Sequence, residues 1–167
     1  VSVIIVASVV VAAQSDADYA AARRLFCEYA ATLGVDLGFQ GFDAELQQLP
    51  AMYGPPDGCL LLARANGDTV GCIAVRRWDA DGCEMKRLYV RSAARGGGLG
   101  RSLVAVALER ARALGYRRML LDTLAVMDAA RRLYESFGFV PCEAYYHNPI
   151  ADAVYMALDL GAHHDRV

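Results

Sequence analysis

The chain reads as one α/β domain built on a mixed sheet flanked by helices, and three observations carry that reading. Strand-like apolar runs cluster in the middle, at Cys59 to Ala65, Val70 to Arg77 and Cys83 to Val90. Segments with apolar residues at helical spacing stand on both sides of them, and an Arg-led glycine turn joins the third run to one of those helices. At 167 residues the chain suits a single domain, 1–167, able to bury a core without disulfides or a metal.

The elements follow in order. Val1 to Ala13 is apolar and β-branched, and it is the only candidate for a targeting segment. No basic stretch precedes it and it is too short to span a bilayer, so an opening strand is expected, with 1–10 as an extra segment or strand. Ser15 with Asp18 three residues on forms a helix N-cap signature; Tyr19, Ala22, Phe26, Tyr29, Ala30 and Leu33 then repeat at helical spacing up to Gly34, a C-cap. A short helix is expected over Asp43 to Leu49, stopped by Pro50 and followed by the breaker cluster Gly54-Pro55-Pro56-Asp57-Gly58.

The three apolar runs are separated by Asn66-Gly67-Asp68 and Asp79-Ala80-Asp81-Gly82, which predicts an antiparallel meander feeding parallel crossovers. After the glycine turn, Leu99, Leu103, Val106, Ala107, Ala111 and Leu114 share one side of a helix that Gly115 ends. A short strand is expected at Arg118 to Thr123, a helix near Asp128 to Phe137, then strands from Phe139 and over Val154 to Leu160, with 161–167 a frayed tail. The order is β-α-α-β-β-β-α-β-α-β-β.

A net charge of -2 argues against nucleic acid as a partner, and the paired arginines read as solvated faces. No membrane segment is expected. The five cysteines form no C-x-x-C and sit mostly in apolar runs, so they read as buried thiols of a reducing cytoplasm. His147, His163 and His164 lack metal-ligand spacing, and no metal is expected.

The glycine turn is the most informative segment. Gly96, Gly97, Gly98 and Gly100 carry no Cβ to block an anion, and the following helix directs unpaired N–H groups and its positive end back at the turn, as a pyrophosphate requires. Register excludes the two commonest nucleotide loops. A P-loop would need Gly where Arg95 stands and Lys where Arg101 stands, and a dinucleotide fingerprint would need Gly at Arg101 or Leu103.

What remains is Arg95-x-x-Gly98-x-Gly100. With the strand before it, the helix after it, and Ala130-x-x-x-Tyr134-x-x-x-Gly138-Phe139 downstream, the chain resembles the GNAT superfamily of N-acyltransferases over roughly residues 11 to 160. The resemblance implies the GNAT fold, acetyl-CoA as cosubstrate, and transfer to a primary amine of a small molecule or peptide, by a monomer or a homodimer. It places the cofactor against Leu88, Tyr89, Val90, Arg95, Gly96, Gly97, Gly98, Leu99, Gly100, Arg101, Ser102, Met127, Ala130 and Tyr134. Backbone N–H groups of Arg95 to Arg101 would hold the pyrophosphate, with Arg95, Arg101 and Ser102 as side-chain supplements.

Amine acetylation also needs a proton acceptor, because an alkyl amine with a pKa of about 10.4 is mostly protonated at neutral pH, and a proton donor for the departing thiolate. Glu84 is the candidate base, its alternative being an exposed strand-end acid. Tyr134 stands at the family's position for the acid and could equally be a core tyrosine. One departure is Met127, where the family frequently has Asn seven residues before the Tyr; packing on the pantetheine carries over but amide recognition does not. Tyr145-Tyr146-His147-Asn148-Pro149, with Phe39, Phe42 and Tyr53, suits an acceptor pocket or a hydrophobic cover over the sheet. The competing function is a catalytically silent acyl-CoA-binding sensor or scaffold.

Overall fold

The computed structural model describes residues 8–161. The elements are β1 (Ser8–Ala12), α1 (Asp16–Leu33), α2 (Phe42–Gln47), α3 (Leu49–Tyr53), β2 (Cys59–Ala65), β3 (Asp68–Arg77), β4 (Gly82–Val90), α4 (Leu99–Ala113), β5 (Arg118–Leu124), α5 (Asp128–Ser136), β6 (Val140–Pro141) and β7 (Ala153–Asp159). The expected tail and the residues before Ser8 fall largely outside the described residues.

Local chemistry sets the boundaries. Ser15 and Asp18 close a reciprocal capping box at α1, at 3.1 Å in both directions, and Gly34 ends the helix with φ of 65°. The expected helix over Asp43 to Leu49 is two helices instead, α2 and α3. Pro50 does not stop a helix but lies in the first turn of α3, where its missing N–H costs no hydrogen bond.

The sheet runs β1-β2-β3-β4-β5-β7-β6. Side chains alternate between its faces, so β2, β3 and β4 feed two cores. Leu61, Ala63, Ile73, Val75, Cys83 and Met85 meet Leu103, Val104, Ala107 and Ala111 of α4, while Leu60, Leu62, Cys72 and Ala74 meet Ala22, Leu25 and Phe26 of α1 and Leu49 and Tyr53 of α3. This double cover explains the near-continuous apolar runs.

Two features position a site. The β4–β5 contact is the sheet's single parallel pair among the described residues, so the expected plural crossovers reduce to one. That pairing joins only Gly82, Cys83 and Glu84 to Arg118, Met119 and Leu120. Beyond it the strands part, and Met85–Val90 runs on without hydrogen-bonding to Leu121–Leu124.

The second feature is a bulge. Cys72 and Ala74 of β3 face Tyr89 and Lys86 of β4, which leaves β4 one residue longer, and Arg87 takes a positive φ of 62°. Its guanidinium pairs with Glu45 of α2 through Nε to Oε1 at 3.0 Å and Nη2 to Oε2 at 2.6 Å, and the Tyr53 hydroxyl donates to the same carboxylate at 2.6 Å. All three residues are buried. Burial pushes the Glu45 pKa up, but the hydrogen bonds and charge of Arg87 and the Tyr53 hydroxyl outweigh it and hold the carboxyl below its usual range.

Candidate active site

A groove runs from the glycine turn to the opening between β4 and β5. Leu88, Tyr89 and Val90 form one wall, and Met127, Ala130 and Leu133 of the β5–α5 region form the other. The turn closes its end with Arg95, Gly96, Gly98, Leu99, Gly100 and Arg101. Gly96 and Gly98 have φ of 86° and 80°, and a Cβ at either would meet nothing within 4 Å, so the cradle in front of the helix is open.

Gly98 caps α4. Ser102 N–H donates to Gly98 C=O at 3.0 Å, leaving the N–H groups of Leu99, Gly100 and Arg101 as the unpaired donors of the first turn. An open cradle of glycines facing free N–H groups and a helix's positive end fits a pyrophosphate.

Not every expected side-chain supplement lies there. Arg95 lines the groove, yet its Nε donates to Val90 C=O at 2.8 Å and its guanidinium lies 6.0 Å from the Tyr89 ring centre. Arg101 is turned away, donating to Ser136 Oγ at 2.9 Å with its guanidinium over Phe137. Gly97 faces the other side of the turn, beside Arg91 and Ala93, and Ser102 does not line the groove. Met127 borders both the groove and the opening, accepting a 3.7 Å contact from Thr123 Oγ1.

At the opening, Tyr134 of α5, Leu88, Lys86 and Asp122 line one cleft. Tyr134 packs edge-on to Phe139 in the α4 core, as a core tyrosine would, and also borders the cleft. Burial, then the Tyr29 and Asp122 charges, push its phenol up, so it stays protonated across the ordinary pH range.

Glu84 is not an exposed strand-end acid: it is fully buried. Oε1 pairs with Arg76 at 2.8 Å, and Oε2 accepts from the Tyr145 hydroxyl at 2.8 Å. Lys86 and Asp122 each stand two residues past the last β4–β5 pair, Glu84 with Leu120, and so face one another across the parting strands. Asp122 Oδ2 accepts from Tyr146 at 2.6 Å, Asn148 at 3.3 Å and Gln40 at 3.5 Å. Burial pulls the Lys86 pKa below the ordinary lysine value despite the pull of Glu84.

Sequence reasoning missed Asp122, Lys86 and Gln40. A lone acid inside Met119-Leu120-Leu121-Asp122-Thr123-Leu124, and a Lys-Arg pair inside a central strand, were the available signals. Of the aromatic set, Phe39 and Tyr146 border the opening on the side of Trp78 and Arg76. Tyr53 is instead sealed in the α1 core and Phe42 lies under Arg87, so neither lines it.

The cysteines are all free, but only Cys72 and Cys83 are buried; Cys27 is exposed and Cys59 and Cys142 are intermediate, which corrects the reading of five packed thiols. Burial pushes Cys59 up to about 11 and Cys83 up to about 12, so neither is a thiolate at neutral pH. Among the described residues no His, Cys, Asp and Glu group could hold a metal, and no helix is long and apolar enough to cross a membrane.

The acetyltransferase (GNAT) family model matches residues 20–139, a span that contains the groove, the turn and Tyr134. The chain belongs to the GNAT family. An uncharacterized N-acetyltransferase of Schizosaccharomyces pombe is 48% identical over 140 residues, covering 83% of this chain and 86% of the relative. The human N-acetylaspartate synthetase is 40% identical over 86 residues, 51% of this chain and 28% of that protein. A protein of Salmonella typhimurium solved with its cofactor acetyl-CoA superposes with a TM-score of 0.67 at 24% identity, over 95% of this chain and 96% of that one. The GNAT fold and an acetyltransferase activity follow.

Proposed function

We propose that this GNAT enzyme transfers the acetyl group of acetyl-CoA directly to a primary amine of a small molecule or a peptide, in a ternary complex. The observation that carries the reading is the parting of β4 and β5 after Glu84 and Leu120, which brings the groove, Tyr134 and Asp122 to one opening.

Acetyl-CoA supplies the activated thioester. The free N–H groups of Leu99, Gly100 and Arg101, with the open Gly96–Gly98 cradle, would hold its pyrophosphate; Leu88, Val90, Met127 and Ala130 would flank its arm. The Arg101 guanidinium and Ser102 contribute little to this hold, because the first is turned to Ser136 and the second lies outside the groove.

The acceptor nitrogen forms the new N–C bond as the C–S bond breaks. The bound ammonium first gives one proton to a carboxylate to become the neutral amine, the nitrogen's second proton leaves to solvent after attack, and the Tyr134 phenol donates to the departing sulfur, recovering its proton from solvent. Between the two carboxylates, Asp122 is the better base. Glu84 spends both oxygens on Arg76 and Tyr145, whereas Asp122 engages only Oδ2 among the described residues and borders the same cleft as Tyr134.

The silent-binder alternative is not favoured, since the relatives are named N-acetyltransferases. The discriminating experiment is Asp122→Asn beside Glu84→Gln, read by free-thiol release from acetyl-CoA and by thermal unfolding. We expect Asp122→Asn to lower kcat at least about a hundredfold, in line with general-base catalysis, with little change in Tm. Glu84→Gln should lower Tm while keeping most of the turnover. The reverse pattern would assign the base to Glu84.

A further inference from the structure

The charges at the opening fall into two classes. Arg87 is neutralised by Glu45, and Arg76 by Glu84. Lys86, which shares Glu84 only through a long 3.8 Å contact, and Asp122, which has no ion pair among the described residues, face one another across the parted strands.

Lys86 is under-satisfied. Its side chain is 6% exposed, yet its nearest acceptors are Gln40 Oε1 at 3.5 Å and Glu84 Oε1 at 3.8 Å, both long for an ammonium group with three donors. Asp122 meets only neutral donors, from Tyr146, Asn148 and Gln40. Gln40 stands between the two, its amide oxygen toward Lys86 and its amide nitrogen toward Asp122, so a neutral spacer holds the opposite charges apart. A buried ammonium and a carboxylate kept separate around a cleft leave each able to take a charged ligand group.

The placement fixes the polarity of that ligand. Asp122 borders the cleft that Tyr134 shares, where the reacting nitrogen must lie and where Arg87 is already matched by Glu45, while Lys86 borders both that cleft and the outer one lined by Arg76, Glu84, Trp78 and Phe39, where Arg76 and Glu84 match each other. A cation therefore belongs on the inner side and an anion on the outer. We infer that the acceptor is a free α-amino acid bound as its zwitterion, the ammonium group at Asp122 and the carboxylate at Lys86. The inference rests on the direct-transfer reading above. It excludes a peptide N-terminus, whose α-carboxylate has become an amide, and a polyamine, which would bring a second cation to Lys86.

The test is free-thiol release from acetyl-CoA with the proteinogenic amino acids, their methyl esters and α-amides, a tripeptide, and simple alkyl amines, using wild type and Lys86→Met. Acetyl-CoA affinity of each protein is measured by calorimetry. The expected result is a kcat/KM for at least one free amino acid exceeding that of its ester and amide by at least about tenfold, as loss of a charge-assisted contact implies. Lys86→Met should abolish that preference while binding acetyl-CoA as wild type does. Equal turnover of esters, amides or the tripeptide would overturn the inference and leave direct transfer standing, as would an undiminished preference in Lys86→Met. Acetyl-CoA binding with no thiol release from any amine would overturn both.

Discussion

Replacing Glu45 by alanine should destabilise the domain by about 3 to 5 kcal/mol, the usual cost of stripping one partner from a buried ion pair. The carboxylate accepts two hydrogen bonds from Arg87 and one from Tyr53, at 2.6 to 3.0 Å, and both donors are buried. The orphaned Tyr53 hydroxyl alone would cost about 1 to 3 kcal/mol, but it shares the vacated space with Arg87, so the two losses do not add. Against a total stability of roughly 5 to 15 kcal/mol, the loss is large. It corresponds to a fall in Tm of roughly 6 to 20 °C for a domain of this size.

The pair does more than stabilise, since it holds the residue whose positive φ makes the β4 bulge next to Leu88. Glu45→Leu combined with Arg87→Leu and Tyr53→Phe should regain most of the stability, because apolar side chains of similar volume remove the desolvation costs and leave no orphaned hydroxyl. It should still bind acetyl-CoA more weakly than wild type.

The pH dependence follows from the lowered Glu45 pKa. A carboxylate whose folded pKa lies below its unfolded value contributes stability above the ordinary carboxylate range and loses it as pH falls through the folded pKa. The stability gap between wild type and Glu45→Gln should therefore narrow on acidification. Urea unfolding measures all of this, and a Glu45→Ala protein within about 1 kcal/mol of wild type would refute the reasoning.

Other outcomes test separate parts of the account. Gly98→Val places a β-branched residue at φ of 80° and a side chain in the anion cradle, so calorimetry should show acetyl-CoA affinity lowered at least about tenfold in a protein that still unfolds cooperatively. Gly71→Ala sets a Cβ 3.0 Å from Tyr89 C=O and 3.2 Å from Val90 Cγ2, and should cost about 1 to 3 kcal/mol by crowding β3 against the groove wall. Maleimide should label Cys27 in the native protein at once, while Cys72 and Cys83 react only on unfolding, read by mass spectrometry of the labelled peptides.

The element order was legible because helical and strand periodicities are local properties, and so were the Ser15–Asp18 cap and the Gly34 stop. Pro50 was misread because the same missing N–H that ends a helix is harmless in its first turn. The parting of β4 from β5 was not legible, since pairing between strands so distant in sequence leaves no mark on either strand alone. Neither was the environment of Glu84, which depends on Arg76 across the ladder and on Tyr145 arriving from the β6–β7 loop. Gln40, Lys86 and Asp122 come from three separate segments and acquire meaning only when brought together at the opening. The glycine turn, by contrast, was readable in sequence because its geometry is set by its own residues. What the fold adds is which of its groups face the groove.

The central claim is that acetyl transfer occurs where β4 and β5 part, with Tyr134 as the proton donor. Pre-steady-state thiol release from acetyl-CoA and an active amine, wild type against Tyr134→Phe, tests it most directly. The account predicts a chemical step slowed by about two orders of magnitude with acetyl-CoA affinity unchanged. An unaltered chemical step in Tyr134→Phe would contradict it.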